Sequence, residues 1–247
     1  MEALDWLVAR PVAHRGLHDA QKGVIENTPS AFEAAIAGNY GIECDLQVAA
    51  DGEAMVHHDN ALGRLTEGSE RLDAMTASDL KRVAFKATAD RMVTLGELCD
   101  LVAGRTPLVI ELKSRFDGDR RLVERAAAVL SGYRGAAAVM SFDPAPIAAL
   151  REIAPQLPRG MVAERIYRDG EWERLSAATR RAMTYFQHAP SSRPQFLAYS
   201  VRDLPAALPM LARVFRLPLL AWTVRNADDR HKAERFADQM IFEGFRP

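Results

Sequence analysis

Gly41-Ile42-Glu43-Cys44-Asp45-Leu46-Gln47-Val48 is the stretch that decides the fold. In an extended chain, residues two apart share a face. Glu43 and Asp45 therefore point one way, and Ile42 and Cys44 the other. The polar side fits the interior or mouth of a barrel, and the apolar side fits a layer of helices. Outward from it, short apolar runs alternate with longer helical patterns. Val12-Ala13-His14 is a brief strand. Thr28 caps a helix that Pro29 opens, through Phe32, Ala35 and Ile36 to a stop near Gly38. Residues 107–112, 137–140, 159–163, 196–200, 217–224 and 239–242 read as further strands. Residues 95–102, 122–130, 143–154, 171–183, 204–214 and 227–236 read as helices.

Alternation of this kind argues for a parallel sheet. Eight such units in 247 residues favour an α/β fold of one domain, a closed (β/α)8 TIM barrel spanning residues 1–247. An open doubly wound sheet is the alternative. The absence of a G-x-G-x-x-G after the first strand counts against its dinucleotide-binding form. Residues 60–91 are least like a βα unit and read as a small insertion after the second strand, lying over one end of the barrel. Leu4, Trp6, Leu7 and Val8 give the N-terminal segment apolar residues with which either to stand in for an eighth outer helix or to close the barrel bottom.

The bulk numbers exclude some functions. A hydrophobic fraction of 48% is enough for a full core. A net charge of −1 argues against binding nucleic acid through bulk charge. Cys44 and Cys99 lack the spacing of a zinc site or a disulfide framework, which fits a reducing, cytoplasmic setting. Residues 1–10 carry Glu2 and Asp5 and lack the basic and apolar regions of a signal peptide. No apolar stretch is long enough for stable insertion across a bilayer.

The chemistry gathers at strand ends. Glu111 and Lys113 share a face, as Glu43 and Asp45 do, and His14 ends the first strand. Barrel enzymes carry their catalytic groups at the C-terminal ends of the strands. Glu43, Asp45 and Glu111 offer only oxygen, which suits a hard cation, Mg²⁺ or Ca²⁺, better than zinc. Burying three carboxylates together without a cation is costly. The competing reading pairs them with Arg15 and Lys113. His14 and His58 are the acid–base candidates; the alternative makes them ligands of zinc or manganese. Only one of His57 and His58 can face inward on an extended segment. Asp59 either orients an imidazole or caps a turn. Arg15 and Lys113 are phosphate-binding candidates that also balance the acids. Acid, base, oxygen ligands and fixed positive charge together point to metal-dependent attack on a phosphodiester.

The ordered set His14-Arg15-Gly16, Glu26-Asn27-Thr28 with Ala31-Phe32, Glu43-x-Asp45, Asp51-Gly52, His58-Asp59 with Leu62, Arg64 and Gly68 resembles the glycerophosphodiester phosphodiesterase family. Glu111-Leu112-Lys113 and Trp222-Thr223-Val224 with Asn226 extend the resemblance along nearly the whole chain. It implies one divalent cation held by Glu43, Asp45 and Glu111. It implies His14 and His58 as general acid and base, His58 rather than His57 because the family's histidine precedes the aspartate. It also implies Arg15 and Lys113 on the phosphate and Trp222 lining the substrate pocket. The implied substrate is a small glycerophosphodiester, cleaved to glycerol-3-phosphate and an alcohol.

Two departures stand out. Leu65-Thr66 follows Arg64 where the family commonly has Thr-Thr. Asp238-Gln239 and Phe242-Glu243 replace the family's Asp-Gly and Thr-Asp of the last strand. Tyr199, Arg202 and Arg225 lie near later strand ends, as contacts for the leaving alcohol or as surface and packing residues. A phospholipase D-like activity on lysophospholipids and a catalytically silent barrel are the rival functions.

Overall fold

The computed structural model describes residues 4–167 and 170–247. Residues 1–3, which include Glu2 of the signal-peptide reading, lie outside the described residues. Eight parallel strands close into a ring. They are β1 (Val12–Ala13), β2 (Gly41–Val48), β4 (Leu108–Leu112), β5 (Ala137–Ser141), β6 (Arg159–Ala163), β7 (Phe196–Ser200), β8 (Leu219–Val224) and β9 (Gln239–Phe242). β1 pairs with both β2 and β9, which closes the barrel. β3 (Ala54–Val56) is bonded outside the ring, antiparallel to β2.

Ten α-helices lie among the described residues: α1 (Asp5–Val8), α2 (Pro29–Ala37), α3 (Ala77–Leu80), α4 (Leu95–Val102), α5 (Arg121–Ser131), α6 (Pro144–Ile153), α7 (Ala177–Thr184), α8 (Ala189–Ser192), α9 (Ala207–Val214) and α10 (Ala227–Phe236). The eight expected strands are all present, and β3 was not foreseen. The helix expected over residues 171–183 begins only at Ala177, where the Ser176 side chain accepts from Thr179 N–H. Trp172, in the turn before it, is drawn into an aromatic cluster with Phe142 and Tyr167. The helix expected from residue 204 likewise begins at Ala207. Thr28 does not cap α2 with its side chain. Its hydroxyl donates instead to the Ile25 carbonyl at 2.7 Å.

Alternation along the strands divides the core in two. Ile42, Cys44, Leu108 and Ile110 pack outward against the helices. Val12, Val109, Ala138, Val162, Phe196, Ala198, Leu220 and Ile241 fill the barrel, which is therefore packed rather than hollow. Of the two expected roles, α1 takes the second and closes the bottom. Leu7, 1% exposed, is its buried plug, while Trp6 is only partly buried against the same cluster.

Residues 60–91 form no βα unit. They hold α3 and the isolated bridges Ala61–Arg71 and Thr66–Phe85. They bury Leu62, Leu72, Leu80 and Phe85 with Ile25, Met55 and Met92 in a cluster of their own. No helix among the described residues is long and apolar enough to cross a membrane.

Candidate active site

Strand register assembles the site. Asp45 of β2 lies beside Glu111 of β4. Ala13 of β1 lies between Ile42 of β2 and Phe242 of β9. His14 thus emerges between Glu43 and Glu243. Ligand atoms of Glu43, Asp45 and Glu111 lie within 4.8 Å of one another. All three side chains are buried.

The two cations of the site hold these acids. Lys113 Nζ donates to Glu111 Oε1 at 2.6 Å and lies 2.9 Å from Asp45 Oδ1. Arg15 Nη1 donates to Glu26 Oε1 at 2.7 Å, and Arg15 Nε lies 3.2 Å from Asp45 Oδ2. The Arg15 backbone N–H donates to Glu43 Oε2 at 2.9 Å. Asn27 Nδ2 donates to Asp45 Oδ2 at 2.8 Å. Burial pushes the Glu43 carboxyl well above the carboxylate range, and repulsion from Asp45 and Glu111 adds to it. Glu111 is raised as well, burial outweighing Lys113. Burial acts the same way on Asp45, yet Lys113 and Arg15 overcome it and hold Asp45 well below the usual range. Glu43 Oε1 remains buried with no hydrogen-bond partner. A buried carboxyl oxygen left unpaired beside two other acids is what a divalent cation would satisfy, and the cation would favour the ionised form that burial disfavours.

The local backbone explains the spacing of the first motif. Arg15 and Asn27 both adopt left-handed φ, 56° each. Such positions cost about 1–3 kcal/mol for residues with a side chain. The Asn27 N–H donates to the Arg15 carbonyl at 2.9 Å, which ties the two together. Gly16 follows at φ 80°, and a Cβ there would sit 2.8 Å from the Ala31 backbone. Glycine alone fits that turn against α2.

Each candidate imidazole is held by a carboxylate. His14 Nδ1 donates to Glu243 Oε2 at 2.5 Å, leaving Nε2 turned toward Glu43, 3.9 Å away. His58 Nδ1 donates to Asp59 Oδ1 at 2.8 Å. Arg64 fixes Asp59 in turn, Nε donating to Oδ2 at 2.6 Å. Burial lowers the His14 pKa, with Glu243 opposing it. Glu243, despite burial, is held well below the usual range by His14 and His18.

His14, Arg15, Glu43, His58, Glu111 and Lys113 line one side of a cavity of about 420 Å³. Phe142, Trp172 and Trp222 line the other, with Trp222 edge-on to Phe142 at 5.4 Å. Arg202 and Arg225 reach the cavity; Tyr199 does not, because it shares the helix-facing side of β7 with Leu197. Asp45 lies behind the wall. His57 is 1% exposed and is not in the lining, and burial lowers its pKa to about 4. The structure brings His14, His58, Glu43 and Glu111 of the sequence reading to this cavity, which Glu164, not singled out in the sequence, also lines. The sequence reading missed the partnership of Glu243, Arg225 and His18: Arg225 Nε donates to Glu243 Oε1 at 2.5 Å, and His18 Nε2 lies 3.8 Å from Glu243 Oε2. The only signal was Glu243's place at the end of the last strand, which the barrel closure brings beside the first.

The family model for the glycerophosphoryl diester phosphodiesterase family matches residues 14–242. The chain belongs to that family. A glycerophosphodiester phosphodiesterase of Caldanaerobacter subterraneus subsp. tengcongensis is 30% identical over 161 residues, which are 61% of this chain and 65% of the relative. The matched segment thus spans less than two thirds of that relative's length. The fold recurs in a Thermotoga maritima glycerophosphodiester phosphodiesterase, with a TM-score of 0.71 and 22% identity over 94% of each chain. It recurs again in an Oleispira antarctica phosphodiesterase solved with the product sn-glycerol-3-phosphate. There the TM-score is 0.76 and identity 17%, over 96% of this chain and 94% of that one.

Proposed function

We propose that this chain hydrolyses glycerophosphodiesters to glycerol-3-phosphate and an alcohol, with a divalent cation, Mg²⁺ or Ca²⁺, at Glu43, Asp45 and Glu111. The observation that carries this reading is the pair of imidazoles, each held at Nδ1 by a carboxylate, on the same cavity wall as Glu43 and Glu111 of a buried three-acid cluster. The product complex of the Oleispira antarctica protein supports the substrate class.

With Nδ1 committed to a carboxylate, each imidazole offers Nε2 for proton transfer. His14, whose pKa burial lowers, is neutral near pH 7 and takes the proton of the attacking hydroxyl. That hydroxyl belongs to the substrate's own glycerol, or to water in the direct variant. His58 gives its proton to the departing alcohol oxygen. In the first variant a cyclic phosphate forms, and water opens it with the two histidines in exchanged roles. Arg15 and Lys113 hold the phosphoryl oxygens from the acid side, and Trp222 packs on the substrate from the other. The cation, when bound, supplies Lewis-acid stabilisation of charge on those oxygens.

The test is release of glycerol-3-phosphate from glycerophosphocholine and glycerophosphoethanolamine. EDTA abolishes it, and Mg²⁺ or Ca²⁺ restores it. Undiminished turnover in EDTA refutes the metal, and no release with either ion refutes the substrate class.

A further inference from the structure

The later part of the chain carries a basic and apolar surface, and of its arginines from 174 to 216 Arg202 alone lines the catalytic cavity. Residues 174–216 contain seven arginines and one aspartate, a net charge of +6 in a chain whose total is −1. Of these arginines, only Arg213 has a carboxylate at ion-pair distance among the described residues, namely Asp238. Exposed apolar side chains gather in the same region. Ile166, Tyr185, Leu208 and Leu211 are exposed, and Val214 and Phe215 are 76% and 75% exposed.

Helix α9 explains the pattern. Its inner face sets Pro209 and Met210 against the barrel. Leu208, Leu211 and Phe215 recur at i, i+3 and i+7 on the outer face, with Val214 beside them. Between α7 and α9 runs an open groove of about 1050 Å³, walled by Ile166, Tyr185 and Leu208 and flanked by Arg165, Arg180 and Arg181. The groove adjoins the catalytic mouth. Glu164, Ser200 and Arg202 line the catalytic cavity, while Arg165, Tyr199 and Pro205 line the groove.

We propose that this face docks peripherally on an anionic lipid bilayer. Its two chemistries call for a partner that is both anionic and apolar. Acidic headgroups meet the arginines. The acyl boundary accepts Leu211, Val214 and Phe215. A second copy of the chain across a two-fold axis would set the same basic face against itself. A nucleic acid would satisfy the arginines and leave the aliphatic row in water.

The experiment is flotation of the intact protein with vesicles of phosphatidylcholine, with and without added phosphatidylglycerol. The protein floats with the anionic vesicles alone, and high salt releases it. Arg180→Gln/Arg181→Gln lowers partitioning roughly tenfold or more. Leu211→Ser/Phe215→Ser lowers it as well. Both variants keep the wild-type circular dichroism and hydrolyse soluble substrate as before, because neither touches the catalytic cavity. Absence of flotation, equal flotation with neutral vesicles, or flotation that both variants retain overturns the proposal. So does a concentration-dependent dimer, seen by sedimentation, that Leu211→Ser/Phe215→Ser dissolves while vesicles leave the protein unbound.

Discussion

Between Arg15 and Arg125, nine of ten arginines hold a carboxylate; between Arg174 and Arg216, one of seven does. The early arginines are consumed within the fold. Arg15 and Arg64 share Glu26, and between them brace the acid cluster and the support of His58. Of the later arginines, Arg180 and Arg181 flank an apolar groove, and Arg202 lines the neighbouring cavity. Positive charge therefore does two jobs in one barrel. On one side it braces the candidate active site, and on the other Arg180 and Arg181, with no carboxylate partner among the described residues, flank a groove. Net charge alone, at −1, conceals both.

Substitution sharpens the contrast, starting with the catalytic wall. His14→Ala and His58→Ala each lower kcat by roughly 10³-fold, with the circular dichroism unchanged. His57→Ala retains more activity than either, and an equal loss would reverse the choice between the adjacent histidines. Glu243→Gln lowers kcat roughly a hundredfold. Glu243 raises the His14 pKa against burial, so its removal lets that pKa fall further. The acid limb of the kcat/KM profile then moves to lower pH, and an unmoved limb would show that His14 is not the group titrating.

Gly16→Ala costs about 2 kcal/mol or more of stability, read from urea unfolding, because its backbone is left-handed and its Cβ space is occupied by Ala31. A loss below the error of the urea midpoint would mean that the turn relaxes. The smallest effect belongs to the other side. Arg181→Gln changes stability by no more than about 0.5 kcal/mol, since no carboxylate within the described fold holds that guanidinium. A larger loss would erase the contrast between the two sets of arginines.

The sequence made the reactive wall legible because strands impose a period of two. Once Glu43 and Asp45 share a face, the opposite face must be Ile42 and Cys44, and the same holds for Glu111 and Lys113. What it left obscure depends on contacts between distant elements. β3 is three residues long, too short for alternation to declare it, and it exists because Leu46, Gln47 and Val48 offer it an edge. Trp172 looked helical from its neighbours, yet Phe142 and Tyr167 hold it in an aromatic cluster. Thr28 had the right chemistry for a cap, but the Ile25 carbonyl was the nearer partner. Glu243 read as a departure from the family pattern, and its contact with His14 became visible only when the ring closed.

That closing contact has a consequence for synthesis. His14 and its carboxylate are 229 positions apart in the chain. At about 5–20 residues per second, a ribosome that has made the histidine needs roughly ten to fifty seconds more to reach the glutamate. The His14–Glu243 pair cannot form in a nascent chain that ends before Glu243, so full orientation of His14 awaits synthesis of the closing strand and the residue after it.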